Sequence, residues 1–307
     1  MKINEYIQNL NLNIKSITKI EHEDTRSSEV YNVLLKNNSQ LILKICYDAV
    51  RYKRELYFLN KLNGLIPVPK VIDKIEPSSL RQSTLATTAE TEKQQGAILM
   101  ECLRGEVLNF LTFTQKMAFK MGELLAQLHE IRTENYGDLI IPDQKSDPIK
   151  EMWNYINESV SECKDVVSSS LLDSCLKFLE KNMVKPEDFD GPCIVHRDYK
   201  PGNVVAYQNN ITGLIDWESS KSSFAEEDFA RMDNIIWDRD LSSKKPFLDG
   251  YSSVRKLPNI EEVMPLLRVS KCLGAIGFTI ARKTWQTRDK DIYKRNLSFL
   301  MTFFHLI

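Results

Sequence analysis

Cys193-Ile194-Val195-His196-Arg197-Asp198-Tyr199-Lys200-Pro201-Gly202-Asn203-Val204-Val205 and, one turn later, Gly213-Leu214-Ile215-Asp216-Trp217-Glu218 decide how this chain is read. Short apolar runs flank each polar loop, and Asn209-Asn210 marks the turn between them, because Asn tolerates left-handed backbone. The pattern predicts short strands whose neighbouring ends carry Asp198, Asn203 and Asp216. Phosphoryl transfer needs little covalent help: the hydroxyl must be held in line with the terminal phosphate and the charge on the phosphate oxygens neutralised. A carboxylate beside the hydroxyl orients it and accepts its proton, a role that fits Asp198. Magnesium takes hard oxygen ligands and retains water, so one carboxylate and one amide oxygen, Asp216 and Asn203, suit it.

Working outward, the first hundred residues are strand-rich. Residues 14–20 alternate apolar and polar, as a half-buried strand does, and residues 29–35 and 40–46 form two more strands around a Lys36-Asn37-Asn38-Ser39 turn. A helix follows over 48–62 with Leu56, Leu59 and Leu62 on one face, ended by Gly64 and Pro67-Val68-Pro69. Residues 77–95 have the Ser/Thr/Gln composition of a surface loop, and Ala97-Ile98-Leu99-Met100 resumes as a strand. Helical periodicity then dominates. Met117, Met121, Leu124, Leu125 and Leu128 form a core stripe within 115–131, and further helices are expected over 147–167, 171–183 and from 260 onward. The sequence therefore predicts an α+β chain with a boundary near Leu103, dividing it into residues 1–103 and 104–307.

Composition narrows the function. With 42% hydrophobic residues among 307 there is material for sizeable cores, and 41 basic against 42 acidic residues leave no electrostatic footprint for nucleic acid or an anionic membrane. Residues 1–12 lack the apolar core of a signal peptide, and the apolar run 273–281 is too short to span a bilayer. Six cysteines without a C-x-x-C pair read as reduced thiols, and four scattered histidines give no zinc spacing. A cytoplasmic protein without nucleic-acid or membrane partners is expected.

The five-residue step from Asp198 to Asn203 and the thirteen-residue step to Asp216 resemble the protein-kinase-like superfamily. Within it, Val-His-Arg-Asp with Pro-Gly-Asn, and Gly-Leu-Ile-Asp-Trp-Glu, look most like the aminoglycoside phosphotransferase family of small-molecule kinases. That resemblance implies a two-lobed fold, a small β-rich N-lobe binding nucleotide and a larger, mainly helical C-lobe. It also implies ATP or GTP and Mg2+ as cofactors, a small-molecule hydroxyl as acceptor, Asp198 as base, and Asn203 and Asp216 as metal ligands. Lys44 in Leu41-Ile42-Leu43-Lys44-Ile45 resembles the family's lysine on the α- and β-phosphates, and Glu55 its helix-borne partner. Met100, Glu101 and Leu103 resemble the strand and hinge whose backbone meets the adenine edge. Taken singly, Lys44 and Glu55 also read as ordinary surface charges, and His196, His129 and Trp217 read as packed structural residues. The ordered set together carries the resemblance.

Two departures matter. The expected 21–29 turn contains no glycine, so only Ser27 and Ser28 offer phosphate hydrogen bonds there. Lys200, two residues after Asp198, is shared with protein serine/threonine kinases, and a cation there stabilises the transferring phosphoryl group. No activation segment or Ala-Pro-Glu-like anchor follows Asp216. Instead, residues 222–230 resemble the small-molecule kinases' stretch ending in Asp-Leu-Ala, which implies Asp228 as a loop anchor. Acidic residues outnumber basic ones nine to five from Asp216 to Asp249, a composition that attracts a polycationic aminoglycoside. Choline-, homoserine- and fructosamine-type acceptors stay open, as does the rival reading of a non-catalytic nucleotide-binding pseudokinase.

Overall fold

The computed structural model describes residues 12–21, 28–77, 96–141, 145–183 and 188–305. Ser27 and the 78–95 part of the polar loop lie outside them. The strand periodicity yields β1 (Ile14–Lys19), β2 (Ser28–Leu35), β3 (Gln40–Cys46), β4 (Val71–Ile75) and β5 (Gly96–Glu101). They form one antiparallel sheet in the order β1-β2-β3-β5-β4. β5 lies inside the sheet, which is why its run from Gly96 to Met100 is buried on both faces and does not alternate. β4 escapes the sequence reading because Val-Ile-Asp-Lys-Ile is short, half polar and only partly buried.

Helix α1 (Ala49–Leu62) starts where the Asp48 carboxylate accepts the Arg51 N–H at 2.9 Å. Its buried stripe is Tyr52, Glu55, Phe58, Leu59 and Leu62, so Leu56 lies beside the stripe and not within it. Glu55 is therefore placed on the buried face by helical spacing.

By compactness, residues Met1–Met117 form one unit with Pro201–Ser220. This division differs from one at 103, and the cause is strand pairing. β6 (Glu106–Val107), β8 (Val204–Tyr207) and β9 (Asn210–Leu214) make a three-stranded sheet, and Leu214 N–H donates to Pro67 O at 2.9 Å. The β8–β9 turn is centred on Gln208 and Asn209, both at positive φ (48° and 60°), as a two-residue hairpin with right-handed twist requires. Gly105 (φ +116°) leads into β6, and a Cβ there would lie 2.1 Å from Ala206 O. Only glycine fits both the conformation and the approach.

The second unit, Ala118–Lys200 with Lys221–Ile307, is mainly helical. It holds nearly all of α2 (Gln115–His129), then α3 (Pro148–Cys163), α4 (Ser169–Lys181), α5 (Glu226–Met232), α6 (Lys244–Ser252), α7 (Ile260–Ala281) and α8 (Lys290–Phe303). The helices expected over 147–167 and 171–183 correspond to α3 and α4. The C-terminal helical stretch is two helices, because Arg282–Asp289 turns between α7 and α8. Ile156, Cys163, Cys175, Leu179, Val263 and Leu273 are among the side chains closing the core between α3, α4 and α7. α7 is long and apolar enough to cross a bilayer, yet 67% of that stretch is buried inside the protein, as in a central core helix. A short antiparallel pair, β7 (Cys193–Val195) with β10 (Lys221–Ser223), sits among these helices.

Helices α2 and α6 approach backbone to backbone. A Cβ on Gly122 would lie 2.0 Å from Phe247 O, and one on Gly250 would lie 1.9 Å from Phe119 O. Gly250→Val is expected to cost about 1–3 kcal/mol or more by overpacking, read as a lower midpoint in chemical denaturation. A midpoint equal to wild type would contradict the close crossing.

Candidate active site

In the first unit, Lys44 sits mid-strand in β3, paired in register with Val30 on one side and Ile98 on the other. Its side chain is 7% exposed, and its Nζ lies 2.9 Å from Glu55 Oε2, 2.7 Å from Asp216 Oδ1 and 3.7 Å from Glu218 Oε2. Burial opposes the ammonium charge, but Asp216, Glu55 and Glu218 outweigh it and hold the Lys44 pKa well above its ordinary value. The same burial pushes the Glu55 carboxyl up to about 7, against the pull of Lys44. Glu218 is anchored further: Arg51 lies 3.5 Å from its carboxylate, and Arg54 donates to its carbonyl at 2.9 Å.

Asp216 has left-handed backbone (φ 71°), unusual for a non-glycine residue, and its side chain is 35% exposed. The Asn203 carbonyl accepts the Ile215 N–H at 2.9 Å, so Asn203, 5% exposed, is one residue from Asp216 across this bond. Trp217 acts as packing: it is fully buried, stacks on Phe58 at 6.0 Å, and donates from Nε1 to Leu214 O. The donor set fits magnesium. One carboxylate and one amide, both hard-oxygen donors, stand beside a lysine facing three carboxylates, so local negative charge is in surplus. Among the described residues no group of three His, Cys, Asp or Glu forms a self-contained cage, and Mg2+ bound through one or two protein oxygens plus phosphates needs none.

In the segment expected to meet the nucleotide base, Met100 is buried, Glu101 is exposed and Leu103 is half-buried. The Glu101 N–H is already committed to Lys70 O at 2.9 Å. Ser28 is 5% exposed and opens β2 opposite Cys46.

In the second unit, the loop around Asp198 is held by its backbone. Asp228, fully buried, accepts the His196 N–H at 2.8 Å and the Arg197 N–H at 2.6 Å, and lies 3.2 Å from His129 Nε2. Burial lowers the His129 pKa, and Tyr251 OH sits 3.0 Å from its other ring nitrogen. His196 is fully buried with Nδ1 accepting the Asp198 N–H at 3.3 Å, so it organises the turn. Arg197 adopts φ 66°. Tyr199, also fully buried, ties the loop to α2 through a 2.7 Å bond to Met121 O. The Asp198 carboxylate lies between two cations, with Arg231 Nε donating to Oδ1 at 2.7 Å and Lys200 Nζ 3.2 Å from Oδ2. Arg231 escaped the sequence reading. Its only signal was a position three residues after Asp228, one helical turn along α5.

The acidic surplus from Asp216 to Asp249 is not a free surface. Asp216 and Glu218 face Lys44, Glu227 pairs with Arg197 at 2.9 Å, Asp233 and Asp238 pair with Arg268, and Asp249 pairs with Lys245. Asp228 and Glu226 are buried and accept backbone N–H groups. Much of this charge is therefore committed to ion pairs or backbone hydrogen bonds within the second unit and with Lys44 in the first.

Comparison with known proteins identifies the family and the fold. Residues 20–265 match the phosphotransferase enzyme family. The homoserine kinase of Gluconobacter oxydans (strain 621H) is 30% identical over 175 residues, 54% of this chain and 52% of that protein, so the match spans about half its length. A gentamicin complex of APH(2")-IIa superposes with a TM-score of 0.69 at 16% identity, covering 98% of this chain and 96% of that one. A thermostable mutant of aminoglycoside phosphotransferase APH(4)-Ia, in ternary complex with ADP and hygromycin B, superposes with a TM-score of 0.68 at 13% identity, covering 98% of each chain. The fold is that of the aminoglycoside kinases, and the chain belongs to the phosphotransferase enzyme family.

Proposed function

We propose that this protein is a magnesium-dependent kinase moving the γ-phosphate of ATP or GTP to a hydroxyl of a small molecule. The observation that carries the proposal is Lys44, whose buried ammonium holds Glu55 and Asp216 at once. A chain that had lost catalysis would have no need to keep the base, both metal ligands and this lysine, which disfavours the pseudokinase reading. Lys44 binds the α- and β-phosphates and Glu55 fixes its position. The adenine or guanine edge meets the backbone of Glu101 and Leu103 beside Met100, and Ser28, with Ser27, donates to phosphate. Bound by Asn203 and Asp216, Mg2+ would neutralise charge on the phosphate oxygens. Asp198 orients the acceptor hydroxyl. As its oxygen forms a bond to the γ-phosphorus, the bond to the β–γ bridging oxygen breaks, nucleoside diphosphate leaves, and the proton passes to Asp198 and then to solvent. Lys200 offsets charge on the phosphoryl group in flight. Residues 1–103 supply most of the nucleotide contacts and 104–307 the base and acceptor contacts.

A metabolite alcohol is favoured over a polycationic antibiotic because the acidic stretch after Asp216 is spent in internal ion pairs, and the homoserine kinase relative points the same way. Six unpaired thiols, five of them buried, support a reducing cytoplasmic setting. No nucleic-acid or membrane partner forms part of the proposal. Asp216→Ala, or EDTA added to the wild type, is expected to abolish phosphate transfer, measured as nucleoside diphosphate release. Full activity in EDTA would contradict the metal assignment.

A further inference from the structure

Within the second unit lies a cavity of about 310 Å3, walled by α3, β10, α5, α7 and Arg197. Its volume is at the small end for ligand sites and suits an amino-acid-sized molecule better than a multi-ring one. Three cations and three carboxylates stand in its wall: Arg197, Lys221, Lys271, Glu151, Glu158 and Glu227. Four of the six are paired off, Arg197 with Glu227 at 2.9 Å and Lys221 with Glu151 at 2.5 Å. Glu227 also accepts from Ser223 Oγ at 2.8 Å. Lys271 is left 4.0 Å from that same Glu227, 5.5 Å from the centre of the Tyr155 ring, and without a hydrogen bond among the described residues. Glu158 likewise has no hydrogen bond among the described residues. The cavity thus holds one ammonium engaged only by a long ion pair and, at its exposed edge, one carboxylate without a hydrogen bond among the described residues.

Burial, with Arg197, Arg231 and Lys221 adding to it and Glu227 only partly offsetting it, pushes the Lys271 pKa down to about 8. A cation held this way destabilises the empty protein, which is the pattern expected where a ligand supplies the missing countercharge. The cavity wall is linked to Asp198 through the chain and through Arg231. Arg197 directly precedes Asp198, and Arg231, which grips Asp198, contributes to the positive field at Lys271.

We infer that this cavity receives the carboxylate of the acceptor on Lys271, with the acceptor's ammonium toward Glu158, so that the molecule phosphorylated is a hydroxy amino acid. The inference rests on the phosphotransferase reading of Asp198 and names the acceptor class for it.

The test measures kcat and KM for wild type, Lys271→Met and Lys271→Arg with Mg-ATP and Mg-GTP on three matched pairs: L-homoserine and 3-amino-1-propanol, L-serine and ethanolamine, L-threonine and 1-amino-2-propanol. Wild type is expected to prefer the carboxylate member of at least one pair tenfold or more in kcat/KM. Lys271→Met should lower that value at least tenfold, mainly through KM, while changing the carboxylate-free partner less than twofold. Lys271→Arg should restore part of the loss. At pH 7.5, Lys271→Met should melt at or above the wild-type temperature, because an ammonium opposed by Arg197, Arg231 and Lys221 is gone. Three results overturn the inference: no carboxylate acceptor used, both members of a pair weakened equally, or Lys271-dependent thermal protection by inorganic phosphate or sulfate with none by the amino acids. Asp198-dependent phosphorylation of a polycationic aminoglycoside without carboxylate preference removes the cavity assignment and leaves the kinase reading intact. Turnover that survives Asp198→Ala removes the kinase reading itself.

Discussion

Asp198→Ala is expected to slow phosphate transfer about 10²–10⁴-fold, the usual contribution of a positioned general base, while leaving nucleotide affinity unchanged. The separation of effects follows from where the groups reside. Lys44, Asn203 and Asp216 belong to the first compact unit, whereas Asp198 belongs to the second, with Lys200 and Arg231. The loop backbone is held by Asp228 and the neighbouring Tyr199, neither of which the substitution touches. Isothermal titration with nucleotide, thermal melting and single-turnover kinetics together check this. Loss of folding in place of loss of rate would mean that Asp198 serves mainly as the counterion of Arg231 and Lys200.

Lys44→Met should have the largest effect on stability. It strips the cation from Glu55, which is 1% exposed, and from the neighbouring Asp216 and Glu218. Removing one partner of a buried pair typically costs about 3–5 kcal/mol. The sign with pH is specific. The Glu55 carboxyl is already pushed up to about 7 from an ordinary 4.5 by burial, and without Lys44 it goes higher. A carboxyl whose folded pKa lies above its unfolded one lends stability below the unfolded value and loses it as pH rises through the folded one. The variant should therefore lie closest to wild type near pH 5 and fall furthest below it near pH 8. Adding Glu55→Gln should recover much of the stability at pH 8 and none of the activity. Denaturation at both pH values reads this directly, and a pH-independent loss would contradict the coupling.

The Asp198 loop and the segment carrying Asn203 were legible because they sit beside short strands whose apolar runs are local: Cys193-Ile194-Val195 became β7, and Val204-Val205 opened β8. Lys44 and Glu55 were legible for a similar reason, since one lies mid-strand and the other on the inner face of a capped helix. What escaped depends on tertiary pairing. Arg231 meets Asp198 across 33 residues of chain, and nothing local in Phe-Ala-Arg-Met signals that bond. Lys271 lies on α7, where periodicity reads only core. Counting the charges of residues 216–249 did not reveal their partners, of which Arg268, 3% exposed, holds both Asp233 and Asp238.

Transfer of label from γ-32P ATP and GTP, with magnesium, to small alcohols including the hydroxy amino acids above is the most direct test of the central claim. The account predicts an acid-stable labelled phosphomonoester with the wild type and none with Asp198→Ala. Equal labelling by both proteins, or label that stays on nucleotide across the whole acceptor panel, would contradict it.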